Sequence, residues 1–336
     1  MSDSQKIPPD PPFSKGGSRE GGIEGGTYVV TGGCGFIGSH LVRALIARGA
    51  ARVVVIDSLR YGDRANLGGL SDRVELVQHT LGSDDAAALR SAIDGARWCF
   101  HLAAEKHNQS KDTPLEVFRA NIDGTWLLFD AAARAGVEKI VFTSSLYAYG
   151  RLSGAPFVET EVPEPRTVYG ISKLAGEHLL RQIGAERGVA WSALRYLFVY
   201  GPRQWAGMGY KSVIVKTFER LKRGEAPVVF GDGEQALDYV FVDDVVEATL
   251  AAMHTPVSGE VLNIGSGAAT TVNALVDAMQ RVAGTAHRVE HVAPDWTAGS
   301  RRVGDVAKAR RLLGWSAATS LDDGLAQVWD WVRSQA

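Results

Sequence analysis

Gly32, Gly35 and Gly38 recur at three-residue spacing between a short apolar run, Tyr28-Val-Val-Thr31, and an amphipathic run from Phe36 to Arg48. That order reads as strand, tight turn, helix, and it commits the start of the chain to one kind of architecture. Further apolar runs follow at Arg52 to Asp57, Val74 to Val77, Trp98 to Leu102, Lys139 to Thr143 and Trp191 to Arg195. Helical patterns lie between them at Ala86 to Ile93, Leu115 to Ala135 and Val168 to Glu186. Near-continuous apolar strands alternating with helices imply a doubly wound α/β fold, with a parallel sheet covered on both faces. At 336 residues and 45% apolar composition the chain can bury a core of that size. After Tyr196 the rhythm loosens into a glycine-rich loop at Gly201 to Gly209, a helix near Val213 to Arg223 and short mixed elements. The expected organisation is therefore a leader over 1–26, a nucleotide-binding domain over 27–195 and a smaller mixed region over 196–336, partly packed back on the sheet.

The leader holds Pro8, Pro9, Pro11, Pro12 and three glycine pairs with almost nothing to bury, so it reads as disordered. The proline stretch as a docking ligand is the alternative. Lys plus Arg number 36 against 38 Asp plus Glu, which leaves no bulk charge to recruit nucleic acid or an acidic membrane. No apolar run approaches the roughly 20 residues of a spanning helix, and the first residues lack the basic-then-apolar order of a signal peptide. The two cysteines, Cys34 and Cys99, make no disulfide framework, and a bridge at Cys34 would obstruct the glycine turn. Reduced thiols and a cytoplasmic location are expected, and no metal is assigned.

Glycines at this junction let the backbone turn tightly and approach a pyrophosphate, which then rests on the helix N-terminus where free N–H groups and the dipole favour negative charge. Asp57, at the end of the second strand, is placed to accept both hydroxyls of an adenosine ribose, and its charge repels a 2′-phosphate. NAD is therefore expected over NADP, although the guanidinium of Arg60 can in principle reach a phosphate. Farther along, Tyr169 and Lys173 stand four residues apart on a helical pattern, which stacks a phenol and an ammonium on one face. An ammonium near a phenol stabilises the phenolate and lowers its pKa from about 10 toward the range useful to a general base. A serine pair, Ser144 and Ser145, lies between turn and tyrosine in the run Thr143-Ser-Ser-Leu-Tyr-Ala-Tyr-Gly150.

With these pieces in this order the chain resembles the extended short-chain dehydrogenase/reductases, in particular the NAD-dependent nucleotide-sugar epimerase/dehydratase family. The likeness runs from about Thr27 to the C-terminus, through TGGCGFIGSH at Thr31, HLAA at His101, RANIDGT around Asn121, TSSLYAYG at Thr143 and YGISKLAGE at Tyr169. It continues through LRYLFVYGPRQ at Leu194, GDGEQALDYVFVDDVVEA at Gly231, LNIGSG at Leu262 and KARRLLGW at Lys308. The resemblance implies a Rossmann-like sheet of about seven strands, tightly held NAD and a homodimer through the helices carrying Asn121 to Ala135 and Tyr169 to Glu186. It implies Tyr169 as acid/base, Lys173 as the group that lowers its pKa and binds nicotinamide ribose, and Ser145 as the hydroxyl that bonds the reacting sugar. Gly32, Gly35, Phe36, Ile37, Gly38, Asp57, Leu102, Ala103, Ala104, Asn121 and Tyr196, with Tyr169 and Lys173, become the cofactor contacts. His101 reads as a packed core residue.

The serine motif discriminates among the family's chemistries. Its dehydratases carry Asp-Glu directly after the Ser/Thr and its decarboxylases retain the Glu, whereas Leu146 and Tyr147 stand here. An aliphatic side chain cannot protonate a leaving hydroxyl, so epimerisation of a nucleotide-diphosphate sugar, commonly at C4, is the expected reaction. A nucleotide-ketosugar reductase or sugar dehydrogenase is the alternative, and a non-catalytic dinucleotide sensor is a remote one. Two substrate-side positions depart from the family: its Asn is Phe198 here and its Arg is Leu237. Arg203, Lys211, Lys216, Arg301 and Arg302 are candidate replacements for the lost phosphate contacts. The run Glu105 to Gln109 can reach a charged or amino sugar or be a plain loop. Thr80 stands where an Asp often touches adenine.

Overall fold

A computed structural model of the chain describes residues 25–70, 72–83, 86–204 and 211–335. The expected leader lies outside the described residues except for its last two positions, as does much of the expected loop after Gly201. Six strands, β1 (Thr27–Thr31), β2 (Arg52–Asp57), β3 (Val74–Gln78), β4 (Trp98–His101), β5 (Lys139–Ser145) and β6 (Ala190–Tyr196), form an all-parallel sheet. Later strands are β7 (Phe198–Tyr200), β8 (Val228–Phe230), β9 (Ala236–Leu237), β10 (Tyr239–Phe241), β11 (Glu260–Ile264), β12 (Thr270–Thr271), β13 (Glu290–Val292) and β14 (Arg301–Arg302). Of these, β11 returns to pair with β6 and makes the seventh strand, giving the order β11-β6-β5-β4-β1-β2-β3. The order reverses between β1 and β4, and a crevice opens outside the carboxyl ends of the strands at such a switch.

The sheet is buried on both faces because its strands are apolar at successive positions. One core cluster gathers Tyr28, Val30, Leu41, Leu45, Val53 and Val55 on one face, and another gathers Val29, Val54, Cys99, Phe129, Ile140 and Phe142 on the other. Helices α1 (Phe36–Ala47), α2 (Ala86–Ile93), α3 (Gln109–Asp112), α4 (Pro114–Phe118), α5 (Gly124–Arg134) and α6 (Val168–Arg187) connect the first six strands. The single helix expected from Leu115 to Ala135 is interrupted by one π turn at Arg119–Asp123. There Asn121 turns inward, accepting from the Glu105 amide at 2.7 Å and donating to the Glu105 carbonyl at 3.0 Å. An inserted turn of this kind re-aims one side chain without ending the helix.

The remaining helices are α7 (Val213–Lys222), α8 (Val242–His254), α9 (Val272–Ala283), α10 (Ala307–Leu313) and α11 (Leu321–Ser334). Among them α8 packs beside α1 against the sheet, while α7, α9 and α11 share a third apolar cluster around Phe218, Leu275 and Val328. Two small ladders, β7 with β10 and β12-β9-β14, follow, and β7 brings Phe198 and Val199 to the wall of the crevice. No helix among the described residues is long and apolar enough to cross a membrane.

Candidate active site

The crevice is a cavity of about 430 Å³, and the expected cofactor residues line it with one exception. Its floor is the turn from β1 into α1. Gly32 has φ +71°, and a Cβ there would meet the Ala103 amide nitrogen at 2.8 Å; a Cβ on Gly38 would meet the Gly32 carbonyl oxygen at 2.1 Å. Only glycine permits that approach. Gly35 caps α1 with no side-chain acceptor, and the first turn carries no acid, so the helix start presents its dipole to an incoming anion. Leu102, Ala103 and Ala104 follow β4 along the same wall, tied to Thr31 through the Leu102 and Ala103 amides.

At the adenosine end the Asp57 carboxylate accepts from the Cys34 amide at 2.9 Å and the Leu59 amide at 2.8 Å. Burial pushes its carboxyl up, and these two amides pull it back. Arg60, which the sequence left free to serve a 2′-phosphate, is engaged by Glu105 at 3.1 Å and Glu116 at 2.7 Å. Those carboxylates hold the guanidinium, whereas Asp57 faces the cavity with backbone amides as its partners. Asp57→Asn removes the repelling charge, and its NAD affinity is expected to fall about tenfold while the preference over NADP narrows. Fluorescence titration with both dinucleotides checks this, and an unchanged ratio would count against Asp57 as the discriminator.

The other end of the cavity brings Ser145, Tyr169 and Lys173 together from two elements. Ser145 ends β5, and Thr167 caps α6 by accepting from the Gly170 amide at 3.0 Å, which starts the helix just before Tyr169. Gly176 lets α6 lie against Phe142 of β5, since a Cβ there would meet the ring at 2.5 Å. Ser145 beside the Tyr169 phenol favours the phenolate, yet burial dominates and pushes the phenol up to about 12. Lys173 Nζ donates to the Thr143 carbonyl at 2.8 Å and lies 5.7 Å from the Tyr169 ring centre. Burial takes that ammonium down to about 7, with Glu177 opposing. The expected lowering of the phenol is thus not what the protein alone produces, because its desolvation outweighs the help of Ser145.

Ser144, the neighbour most easily confused with Ser145, instead donates to Glu177, which is itself gripped by Arg195 at 2.7 and 2.8 Å in a buried bidentate pair. His101 is fully buried between Thr31 and Thr125 and lies outside the cavity wall. Tyr196 lines the cavity and bonds Thr249 at 2.6 Å. The exception is Asn121: its side chain is spent on Glu105 and on Ser172 at 3.1 Å, bracing α6 and the loop after β4 rather than facing the cavity.

Sequence reasoning missed an aromatic group beside Tyr169. His107 stacks on Tyr147 at 4.1 Å and meets Tyr169 edge-on at 6.0 Å, and Trp296 lies 6.0 Å from His107. The polar run after HLAA was the only signal of it. Leu146 is buried and Tyr147 lines the wall, so no carboxylate follows Ser145. Among the described residues the cavity's acids are Asp57, held by the glycine turn, and Glu105, held by Arg60. Thr80 also lines the adenosine end.

A dinucleotide cradle, a serine and a tyrosine–lysine pair in one cavity define a redox enzyme acting on an alcohol, and the chain belongs to the NAD dependent epimerase/dehydratase family, which it matches over residues 28–265. It is 34% identical over 312 residues to the UDP-glucose 4-epimerase of Mycolicibacterium smegmatis, covering 92% of this chain and 99% of that one. It is similar to the UDP-glucose 4-epimerase of Thermotoga maritima solved with UDP-glucose, at 36% identity and a TM-score of 0.84 over 91% of this chain and 98% of that one. The Thermus thermophilus UDP-glucose 4-epimerase solved with NAD is 31% identical with a TM-score of 0.82, over 92% of this chain and all of that one.

Proposed function

We propose that the protein is an NAD-dependent epimerase of a nucleotide-diphosphate sugar, inverting C4 through a transient ketosugar. The observation that carries this reading is the wall beside Ser145, where Leu146 and Tyr147 offer no acid for elimination while Ser145, Tyr169 and Lys173 converge. Bound NAD supplies the hydride acceptor and, when oxidised, a cationic ring that favours the phenolate. Tyr169 removes the proton from the sugar hydroxyl at its phenol oxygen and returns it after the sugar has turned over. Ser145 both donates and accepts, so it follows the reacting oxygen from alcohol to ketone. Lys173, in its ammonium form, favours the phenolate and would bind the ribose hydroxyls of the dinucleotide.

Incubating the protein with NAD and a panel of nucleotide sugars, UDP-glucose first, should yield the C4 epimer by NMR without net change in nicotinamide absorbance. Stoichiometric consumption of NADH or NADPH with a ketosugar would instead establish a reductase. A cytoplasmic homodimer completes the proposal. Leu115, Phe118, Trp126 and Ile171 are exposed on α4, α5 and α6 at 59%, 46%, 37% and 49%, an apolar face that a second copy covers. Light scattering should return about twice the 36.0 kDa of one chain; a monomer would remove that face from the account. Cys34 and Cys99 are free, buried thiols, which suits a reducing compartment.

A further inference from the structure

Three side chains of α6 repeat at four-residue spacing on one face: Tyr169, Lys173 and Glu177. Each meets the end of β5 at a different residue. Tyr169 stands beside Ser145, Lys173 Nζ donates to the Thr143 carbonyl at 2.8 Å, and Glu177 accepts from the Ser144 hydroxyl. Phe142 and Ser144 share the strand face turned toward the helix. Glu177 is in turn gripped by Arg195 through both carboxylate oxygens, at 2.7 and 2.8 Å, and each of the two side chains is 4% exposed. Arg195 is the register partner of Ser144 on the parallel strand β6. The same guanidinium carbon lies 4.4 Å from the centre of the Tyr149 ring. The stretch from Ser144 to Tyr149, which carries Ser145 and Tyr147, is therefore held at one end by Glu177 and at the other by Arg195.

An ion pair buried this deeply gives no advantage in stability over well-packed apolar side chains, since desolvating two charges offsets their attraction. Its place in the fold gives it another use. The Glu177 carboxylate, one helical turn along from Lys173, opposes the desolvation that strips the proton from that amine. The other titratable groups around Lys173 are Tyr169 on α6 and His101 at the end of β4, whose imidazole burial keeps neutral. Around the ion pair they are Tyr149 and the carboxylates of Glu159 and Glu161, which interact with Tyr149 and Arg195 respectively.

We propose that Glu177, held by Arg195, is a positioning residue of the reaction: it fixes α6 against β5 in the register that brings Ser145 to the Tyr169 phenol, and it keeps a negative charge one helical turn from the Lys173 ammonium. This rests on the reading of Ser145, Tyr169 and Lys173 as the groups that meet the sugar hydroxyl. Glu177 is buried and lies outside the cavity wall, so it acts through Ser144 and Lys173. Its effect falls on the rate at which bound sugar reacts, because a displacement of about 1 Å between reacting groups costs on the order of a hundredfold.

The decisive variant replaces both charges at once, Glu177→Met with Arg195→Met, so that no unpaired charge is left buried. Epimerisation of the nucleotide-sugar panel by the NAD-loaded full chain is followed by NMR from about pH 6 to about pH 10, with thermal unfolding alongside. The kcat should fall by about 30-fold or more with KM within about threefold of the wild type, while the unfolding temperature is unchanged or higher. The alkaline fall in kcat, where Lys173 loses its proton, should begin at a lower pH than in the wild type, because the carboxylate that favours the ammonium has gone. Either an unchanged kcat or an unmoved alkaline limb in a folded pair variant makes the ion pair structural only and overturns the proposal. Should the pair variant not fold, Ser144→Ala decides the matter, since it releases β5 from Glu177 and leaves both charges paired. A kcat lower by about tenfold at unchanged KM and unfolding temperature supports the positioning role, and a wild-type kcat rejects it. A wild type that epimerises none of the sugars removes the catalytic reading, and the proposal with it.

Discussion

Tyr169→Phe is expected to lower the rate of sugar epimerisation roughly a thousandfold while leaving the fold and NAD binding in place. The ring remains to pack at the edge of His107 and Tyr147, at 6.0 and 5.8 Å, so the cavity wall keeps its shape. Only the hydroxyl goes, and with it the atom beside Ser145 that the proposed mechanism uses to exchange the substrate proton. Among the described residues no neighbouring acid can take over, since Leu146 and Tyr147 occupy the positions after Ser145 and the cavity's carboxylates are held by the glycine turn and by Arg60. The measurement is the approach to equilibrium between the two epimers by NMR, beside a dinucleotide titration to show that the cradle is intact. A variant that still epimerises at a tenth of the wild-type rate would remove Tyr169 from the proton path.

Lys173→Met is expected to lose activity by at least a hundredfold and, unusually for a functional residue, to make the ligand-free protein more stable. Lys173 is 3% exposed with its ammonium bonded to the Thr143 carbonyl, and burial carries its pKa down to about 7 from an ordinary 10.5. Between those values the unfolded chain binds a proton that the folded chain has released. Stability contributed by this site therefore rises as pH climbs from about 7 to about 10, and the penalty is complete below 7. The methionine variant lacks that slope. Near pH 7 it should be more stable than the wild type by an amount on the order of 2 kcal/mol, after allowing for the lost hydrogen bond. Denaturant unfolding at pH 7 and pH 10 reads the effect, and a difference between the two proteins that does not shrink at the higher pH would contradict it.

Legibility from sequence followed the range of the interaction. The glycine turn, the acid closing β2 and the Tyr169–Lys173 spacing are local patterns, and each line of residues lies in the cavity the pattern implied. The return of β11 to the sheet was not legible, because a five-residue apolar run near the C-terminus fits an edge strand anywhere. Nor was the task of Asn121, which depends on one π turn that no periodicity announces. Ser144 and Ser145 differ only in which way a strand's alternation points them, one toward Glu177 and one toward Tyr169. Arg60 was ambiguous until Glu105 and Glu116 were seen to hold it.

The amino-acid sequence by itself determined the doubly wound sheet, the glycine turn between β1 and α1 and the absence of an acid after Ser145, since all of these follow from neighbours along the chain. Tertiary structure alone decided what surrounds Phe198 and Leu237. Residues 198 and 237 are far in sequence from 296 and 302, and only strand register and ring packing bring the buried Arg302 guanidinium against Phe198, Leu237 and Trp296.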